Sequence, residues 1–195
     1  MNLLFALTYY RPHISGLTIY VQRIAEALAK HGHSVTIITS RYNNSLAIEE
    51  TINNVRVIRI PAAFRINKGV IMPGYHNLAS RLVKESDICF LNLPTTPIEA
   101  VLLPAIAKRE RKPLIGIYHC DLHLPPGLGN RITNTGVMIT MRSAAKSADK
   151  IIASSQDYAD SSPILKHHIN NLELIPPPIH LPRPNPVDVE NFRST

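Results

Sequence analysis

Residues 3–39, LLFALTYYRPHISGLTIYVQRIAEALAKHGHSVTIIT, change their hydrophobic period twice. Leu3–Thr8 is a short apolar run of strand character. From there the apolar residues Leu17, Tyr20, Val21, Ile24 and Leu28 recur at helical spacing, and Gly32 after Lys30 and His31 is a helix stop. Ser34–Thr39 returns to a β-branched strand. A strand, a glycine-containing loop at Tyr9–Gly16, a helix and a second strand together open a Rossmann-like unit.

Working outward, the same alternation continues. Val55–Ile60, Asp87–Leu93, Pro113–Tyr118, Lys150–Ala153 and Leu172–Ile175 read as further strands. Helices are expected at Gly74–Lys84, Pro97–Arg109, Ile132–Ser147 and Asp157–His167, the last kinked or broken at Pro163. The expected fold class is therefore α/β: a Rossmann-like parallel sheet of about seven strands with helices on both faces. Pro176, Pro177, Pro178, Pro182, Pro184 and Pro186 crowd the end of the chain, where neither a helix nor a central strand survives such density. This predicts one domain over residues 1–182 and, at 183–195, a proline-rich linker leading toward a further domain.

With 195 residues, 45% hydrophobic and 18% charged, the chain has the means to bury a substantial core. Its N-terminus lacks a basic segment, and the apolar run there breaks at Thr8 and Tyr9, too early for a secretory signal. Ala100–Ala107, the most apolar stretch elsewhere, contains Pro104 and falls short of the ~20 residues that cross a bilayer. A cytoplasmic location is expected. Cys89 and Cys120 both lie in strand-like apolar surroundings and read as reduced core residues.

The net charge of +7 favours anionic partners without choosing among nucleic acid, lipid head groups and phosphorylated substrates. Between Thr51 and Lys84 stand Arg56, Arg59, Arg65, Lys68, Arg81 and Lys84 with no Asp or Glu. A solvated basic face is the favoured reading of these six, ahead of a patch facing membrane or acceptor.

Open α/β sheets bind ligands beyond the carboxyl ends of their strands, so the loops there carry the candidate chemistry. After the first strand, Ser15-Gly16 precedes a helix; a glycine there admits a phosphate or sugar to the positive helix end, or else simply serves a turn. Neither G-x-G-x-x-G nor G-x-x-x-x-G-K-[ST] is present, which disfavours a nicotinamide-dependent oxidoreductase and a P-loop enzyme. The loop Pro94-Thr95-Thr96 is uninformative. After the fifth strand, His119, Asp121 and His123 alternate, a spacing open to zinc but without a fourth ligand; a capping role for Asp121 beside a half-buried His119 is the plainer alternative. After the sixth, Ser154 and Ser155 offer hydroxyls to a helix N-terminus as caps or as part of a cleft.

Several motifs occur together in fixed order. The opening strand with PHISGLTIYVQRIAEALAKHGHSVTIIT, then YHCDL, SADKIIASSQDYADSSPIL and LELIPPPI resemble the signature segments of glycosyltransferase family 4, also called group 1. The resemblance spans nearly the whole chain. It implies one half of a GT-B architecture, in which two Rossmann-like domains face each other across a cleft. The implied activity is retaining transfer of a sugar from a nucleotide-sugar donor to a sugar or lipid-linked acceptor held mainly by this N-terminal half. The donor would be held mainly by a C-terminal domain carrying basic diphosphate-binding residues and an E-x7-E pair, which these 195 residues lack.

By position, the resemblance places Gly16 and Ser15 against donor phosphates or the reacting sugar. It makes His119 the active-site histidine and Asp121 the acidic residue beside it. It implies no metal and no cofactor, no nucleic-acid partner, and a location in the cytoplasm that extends to peripheral contact with the inner face of the membrane. Two departures stand out: Ser15-Gly16 where the family has paired glycines, and PPPIH at 176–180 where it has P-x-G-I-D. The rival from another class is a non-catalytic module that uses the same crevice to hold a sugar or phosphorylated ligand.

Overall fold

A computed structural model of the chain describes residues 1–66, 69–122 and 128–179, and side chains at all of these except 65, 66 and 128–133. The strands are β1 (Asn2–Ala6), β2 (Ser34–Arg41), β3 (Glu49–Ile52), β4 (Val55–Pro61), β5 (Phe64–Ile66), β6 (Gly69–Ile71), β7 (Ile88–Leu93), β8 (Leu114–Tyr118), β9 (Lys150–Ala153) and β10 (Leu172–Leu174). The helices are α1 (Gly16–Lys30), α2 (Tyr75–Glu85), α3 (Pro97–Arg109), α4 (Leu128–Ser147) and α5 (Gln156–Ser161). Eight strands form one sheet in the order β10-β9-β8-β7-β1-β2-β4-β3, parallel throughout except for β3, which runs antiparallel to β4. The seven expected strands are all present. To them the structure adds β3 and a separate β5–β6 hairpin.

Alternate residues of each strand serve opposite faces. Leu3 and Phe5 of β1, with Val35, Ile37, Val55, Val57 and Ile117, pack against Val21 and Ala25 of α1. Leu4 and Ala6, with Ile38, Ile58 and Ile60, pack beneath α2, α3 and α4. Helix ends are set locally. The Ser15 side chain caps α1 by accepting from the Thr18 N–H at 3.2 Å, and Gly32, with φ at +84°, closes its other end. Thr96 and Glu99 form a reciprocal capping box at the start of α3 with Pro97 in its first turn.

The break expected at Pro163 is present, and one other expectation is corrected by the chain's own chemistry. The helix expected over Asp157–His167 ends at Ser161, because Pro163 forces Ser162 out of helical conformation; a 3₁₀ turn at Leu165–His167 follows. The basic segment is not one solvated face. Arg59 is buried within β4: Nη2 lies 2.5 Å from Glu50 Oε1 and donates to the Arg11 carbonyl at 2.8 Å, and Nη1 donates to the Ala47 carbonyl at 3.1 Å. Lys68 and residues 180–195, including the expected linker, lie outside the described residues, as does the side chain of Arg65. Among the described residues, no helix is long and apolar enough to cross a membrane.

Candidate functional site

From β1 the chain runs through α1 to β2 and on to β4 on one side, then returns by way of α2 to β7 on the other side of β1, so the switch in strand order falls between β1 and β7. Loops diverge at such a point and leave a crevice at the carboxyl edge. Beside it, at the ends of β8 and β9, lies an open pocket of about 140 Å³ lined by Tyr20, Ile117, Tyr118, His119, Ile152, Ala153, Ser154 and Pro177. Pro177 reaches it because the segment after β10 crosses the sheet edge. The Ile175 N–H donates to the Ala153 carbonyl at 3.0 Å, and Arg23 Nη1 donates to the Pro178 carbonyl at 2.9 Å.

His119 extends β8 by one more ladder bond, its N–H donating to the Leu93 carbonyl at 2.9 Å. It lies two residues past Ile117 and so keeps to the α1 face of the sheet. There its Nε2 lies 3.1 Å from Oδ1 of Asn92, whose own amide nitrogen donates to the Ala6 carbonyl at 3.1 Å. That second bond orients the Asn92 amide, so its oxygen accepts, Nε2 carries the proton and Nδ1 remains an acceptor. The Tyr20 ring meets the imidazole edge to face at 4.7 Å.

Burial holds the His119 pKa down from 6.5 to about 4, so the ring is neutral at physiological pH. The consequence for stability has a definite sign. Above pH 6.5 the imidazole is neutral whether folded or not, and the fold keeps its full stability. As pH falls from 6.5 through 4 the unfolded chain binds a proton that the fold refuses, and stability drops by on the order of 2–3 kcal/mol. Urea unfolding at pH 7 and pH 4.5 should show a smaller loss for His119→Gln than for the wild type. An equal loss in both proteins would assign the pH dependence to other groups.

Asp121 is not in the pocket lining. Its carboxylate accepts from Tyr118 Oη at 2.7 Å, Tyr158 Oη at 3.0 Å and Ser162 Oγ at 3.0 Å, which ties α5 to the end of β8. Burial first, and the bond to Asp121 second, raise the pKa of both phenols, which therefore stay protonated as donors. Tyr118 points to the sheet face opposite His119, so the pleat separates the two groups that the sequence sets close together. His123 lies outside the described residues, and among those described no three His, Cys, Asp or Glu side chains converge as metal ligands would. Of the two expected core cysteines, Cys89 is buried, with its thiol pKa pushed up to about 12 by desolvation. Cys120 is exposed instead, because β8 has ended before it.

Gly16 begins α1. A Cβ built there meets nothing within 4 Å, and its backbone does not occupy the left-handed region, so neither packing nor conformation requires a glycine. Gly16→Val should therefore leave the melting temperature of the ligand-free protein within about 2 °C, while filling the space in front of the helix N-terminus. A large loss of stability would show that the position serves the fold. Ser154 lines the pocket, whereas Ser155 caps α5 by accepting from the Tyr158 N–H at 3.3 Å.

The strand preceding Pro94-Thr95-Thr96 and the loop itself hold what sequence reading overlooked. Asn92 is fully buried at the end of β7, and Glu99, equally buried, accepts at Oε2 from Thr8, Thr95 and Thr96 hydroxyls at 2.6, 2.5 and 2.8 Å. This cluster ties the end of β1 to the start of α3, one strand away from His119. The visible signal for Asn92 was a single amide interrupting the apolar run ICFLNL.

No match was found among curated protein sequences. Among solved structures, the fold resembles Anabaena HepE, determined in complex with UDP, at 15% identity and a TM-score of 0.63 over 100% of this chain and 49% of that one. It also resembles the sucrose-phosphate synthase of Thermosynechococcus elongatus, at 16% identity and 0.62 over 90% and 47%. A third likeness is WaaG, a glycosyltransferase involved in lipopolysaccharide biosynthesis, at 14% identity and 0.54 over 98% and 51%. The chain thus spans about half the length of the structures it matches. These neighbours are GT-B glycosyltransferases, and the architecture here is that of one GT-B half. The sequence profile described as Glycosyltransferase Family 4 matches residues 14–183, from the loop before α1 through β10 and beyond, and on that extent of agreement the chain belongs to glycosyltransferase family 4.

Proposed function

We propose that the chain is the acceptor-side half of a retaining glycosyltransferase, passing a sugar from a nucleoside-diphosphate donor to a sugar or lipid-linked acceptor. The observation that carries this reading is the neutral His119, held by Asn92 at the wall of an open pocket. A sugar leaving its diphosphate develops positive charge at the anomeric carbon, and a cationic side chain there would oppose it. A neutral imidazole with Nδ1 free to accept from a sugar hydroxyl does not. The open N-terminus of α1 at Gly16, capped by Ser15, favours negative charge and gives donor phosphate or sugar a place to approach. Ser154 adds a hydroxyl to the same pocket. Asp121 contributes by fixing the loop after β8 rather than by touching the reacting sugar. We assign the domain to residues 1–182 and a linker to 183–195, with a C-terminal partner domain supplying the remaining diphosphate contacts, and place the enzyme in the cytoplasm at the inner face of the membrane.

On this reading the 195-residue chain folds cooperatively by itself but binds UDP weakly and transfers no sugar. Positioning donor against acceptor is worth roughly 7–11 kcal/mol of a barrier, and one positioning wall belongs to the partner domain. Calorimetry with UDP and UDP-sugars, beside a donor-hydrolysis assay, tests this. Micromolar affinity together with turnover would overturn the half-enzyme reading. A second domain that fails to restore transfer would leave the chain a binding module.

A further inference from the structure

Three aromatic rings stand together at the carboxyl ends of β1 and β2, away from the His119 pocket. Tyr9 and His13 have centroids 4.9 Å apart, Tyr9 and Tyr42 5.5 Å, and His13 and Tyr42 5.9 Å, the last two pairs edge to face. All three are half-buried. Tyr9 leans on the core beneath α2 and α3, whereas Tyr42 belongs to neither apolar cluster. Ile14, 80% exposed, flanks His13.

The backbone under each ring is pinned. Thr18 Oγ1 of α1 donates to the Tyr9 carbonyl at 3.4 Å, and the His13 N–H to the Tyr10 carbonyl at 3.1 Å. After Tyr42, the Arg41 guanidinium clamps the turn by donating to the Leu46 and Asn44 carbonyls at 2.6 and 2.5 Å. Rings held this way lose little freedom when a ligand settles on them.

We propose that Tyr9, His13 and Tyr42 form a platform for a pyranose ring of the acceptor, an assignment that rests on the glycosyltransferase reading above. The negative face of an aromatic ring suits the C–H face of a sugar, and the His13 imidazole adds a polar edge for its hydroxyls. Placement supports the same occupant. Thr18, bonded to Tyr9, and Tyr20, in contact with His119, both belong to the first turns of α1, so one helix end joins the platform to the pocket, and a Cβ at its first residue, Gly16, meets nothing within 4 Å.

The test titrates the chain separately with methyl α-D-glucopyranoside, methyl α-D-galactopyranoside, methyl α-D-mannopyranoside and the methyl glycoside of N-acetylglucosamine, followed by saturation-transfer and aromatic-region NMR. At least one glycoside should bind and shift the Tyr9, His13 and Tyr42 resonances. Tyr42→Ala should weaken that binding about tenfold, the scale of one lost aromatic contact, and Tyr42→Phe should retain it. If Tyr42→Ala unfolds, His13→Ala gives the same comparison. Failure of all four glycosides, shifts confined to Tyr20 and His119, ring shifts with UMP instead, or unchanged affinity in the alanine variant would each overturn the platform. Glycoside binding mapped to the rings in a complete enzyme without transfer activity would remove the glycosyltransferase reading and keep the platform. Transfer with an unchanged acceptor KM in the ring variants would do the reverse.

Discussion

In a complete two-domain enzyme, His119→Ala should lower turnover by at least about 10²-fold, the scale for losing one polar group at the reacting centre. The fold should tolerate the change. The ring is only half-buried, so water entering the pocket can donate to the Asn92 oxygen that the imidazole leaves behind, and the cost should stay near 1–2 kcal/mol. Paired measurement of turnover and melting temperature separates the possibilities. Turnover near that of the wild type would take His119 out of the mechanism. A variant that fails to fold would mean that the Asn92–His119 bond exists to hold β7 against β8.

The largest effect on stability is expected at Arg59. Its guanidinium is buried, and Arg59→Met keeps most of the side-chain volume while stripping donors from Glu50 and from the Arg11 and Ala47 carbonyls. Removing one member of a buried ion pair typically costs about 3–5 kcal/mol. Glu50 is partly exposed and can rehydrate, so about 2–4 kcal/mol is the better figure here, a fall in melting temperature of roughly 5–15 °C for a domain of this size. The Arg11 carbonyl lies in the loop that carries His13, Ser15 and Gly16, so the variant should also loosen the approach to α1. A melting temperature within 2 °C of the wild type would show that the ion pair contributes nothing net.

Arg59 also shows where sequence reading reached its limit. Arg56 and Arg59 look alike in VRVIRI, yet three residues is an odd spacing in a strand, so the two side chains take opposite faces. Arg56 stays exposed and pairs with Glu49, and Arg59 turns inward. The carboxylates that balance them come from β3, which was missed because Glu49-Glu50-Thr51-Ile52 is a polar edge strand without an apolar alternation. Asn53-Asn54, both with positive φ, form the turn that would have announced that hairpin.

The central parallel strands β1, β2, β7 and β8 were legible because strands buried on both faces are largely continuous apolar runs. His119 was legible by its place at a strand's carboxyl end, whereas Asn92 and Tyr20 were not. One was hidden in a strand and the other counted as a core position of α1, and only the tertiary fold brings both to the imidazole.

The pocket's two walls differ in how firmly the chain holds them. His119 and Ile117 belong to a strand paired on both sides near the centre of the sheet, whereas Pro177 follows a three-residue edge strand and is retained by the Ile175 ladder bond and the Arg23 contact. Amide exchange should accordingly be fast at Leu174 and Ile175 and slow at Ile117 and His119, since edge segments open far below the free energy of global unfolding. Fraying at one margin of the sheet would thus change the shape of the pocket on the Pro177 side, while the imidazole and the amide that orients it stay in register.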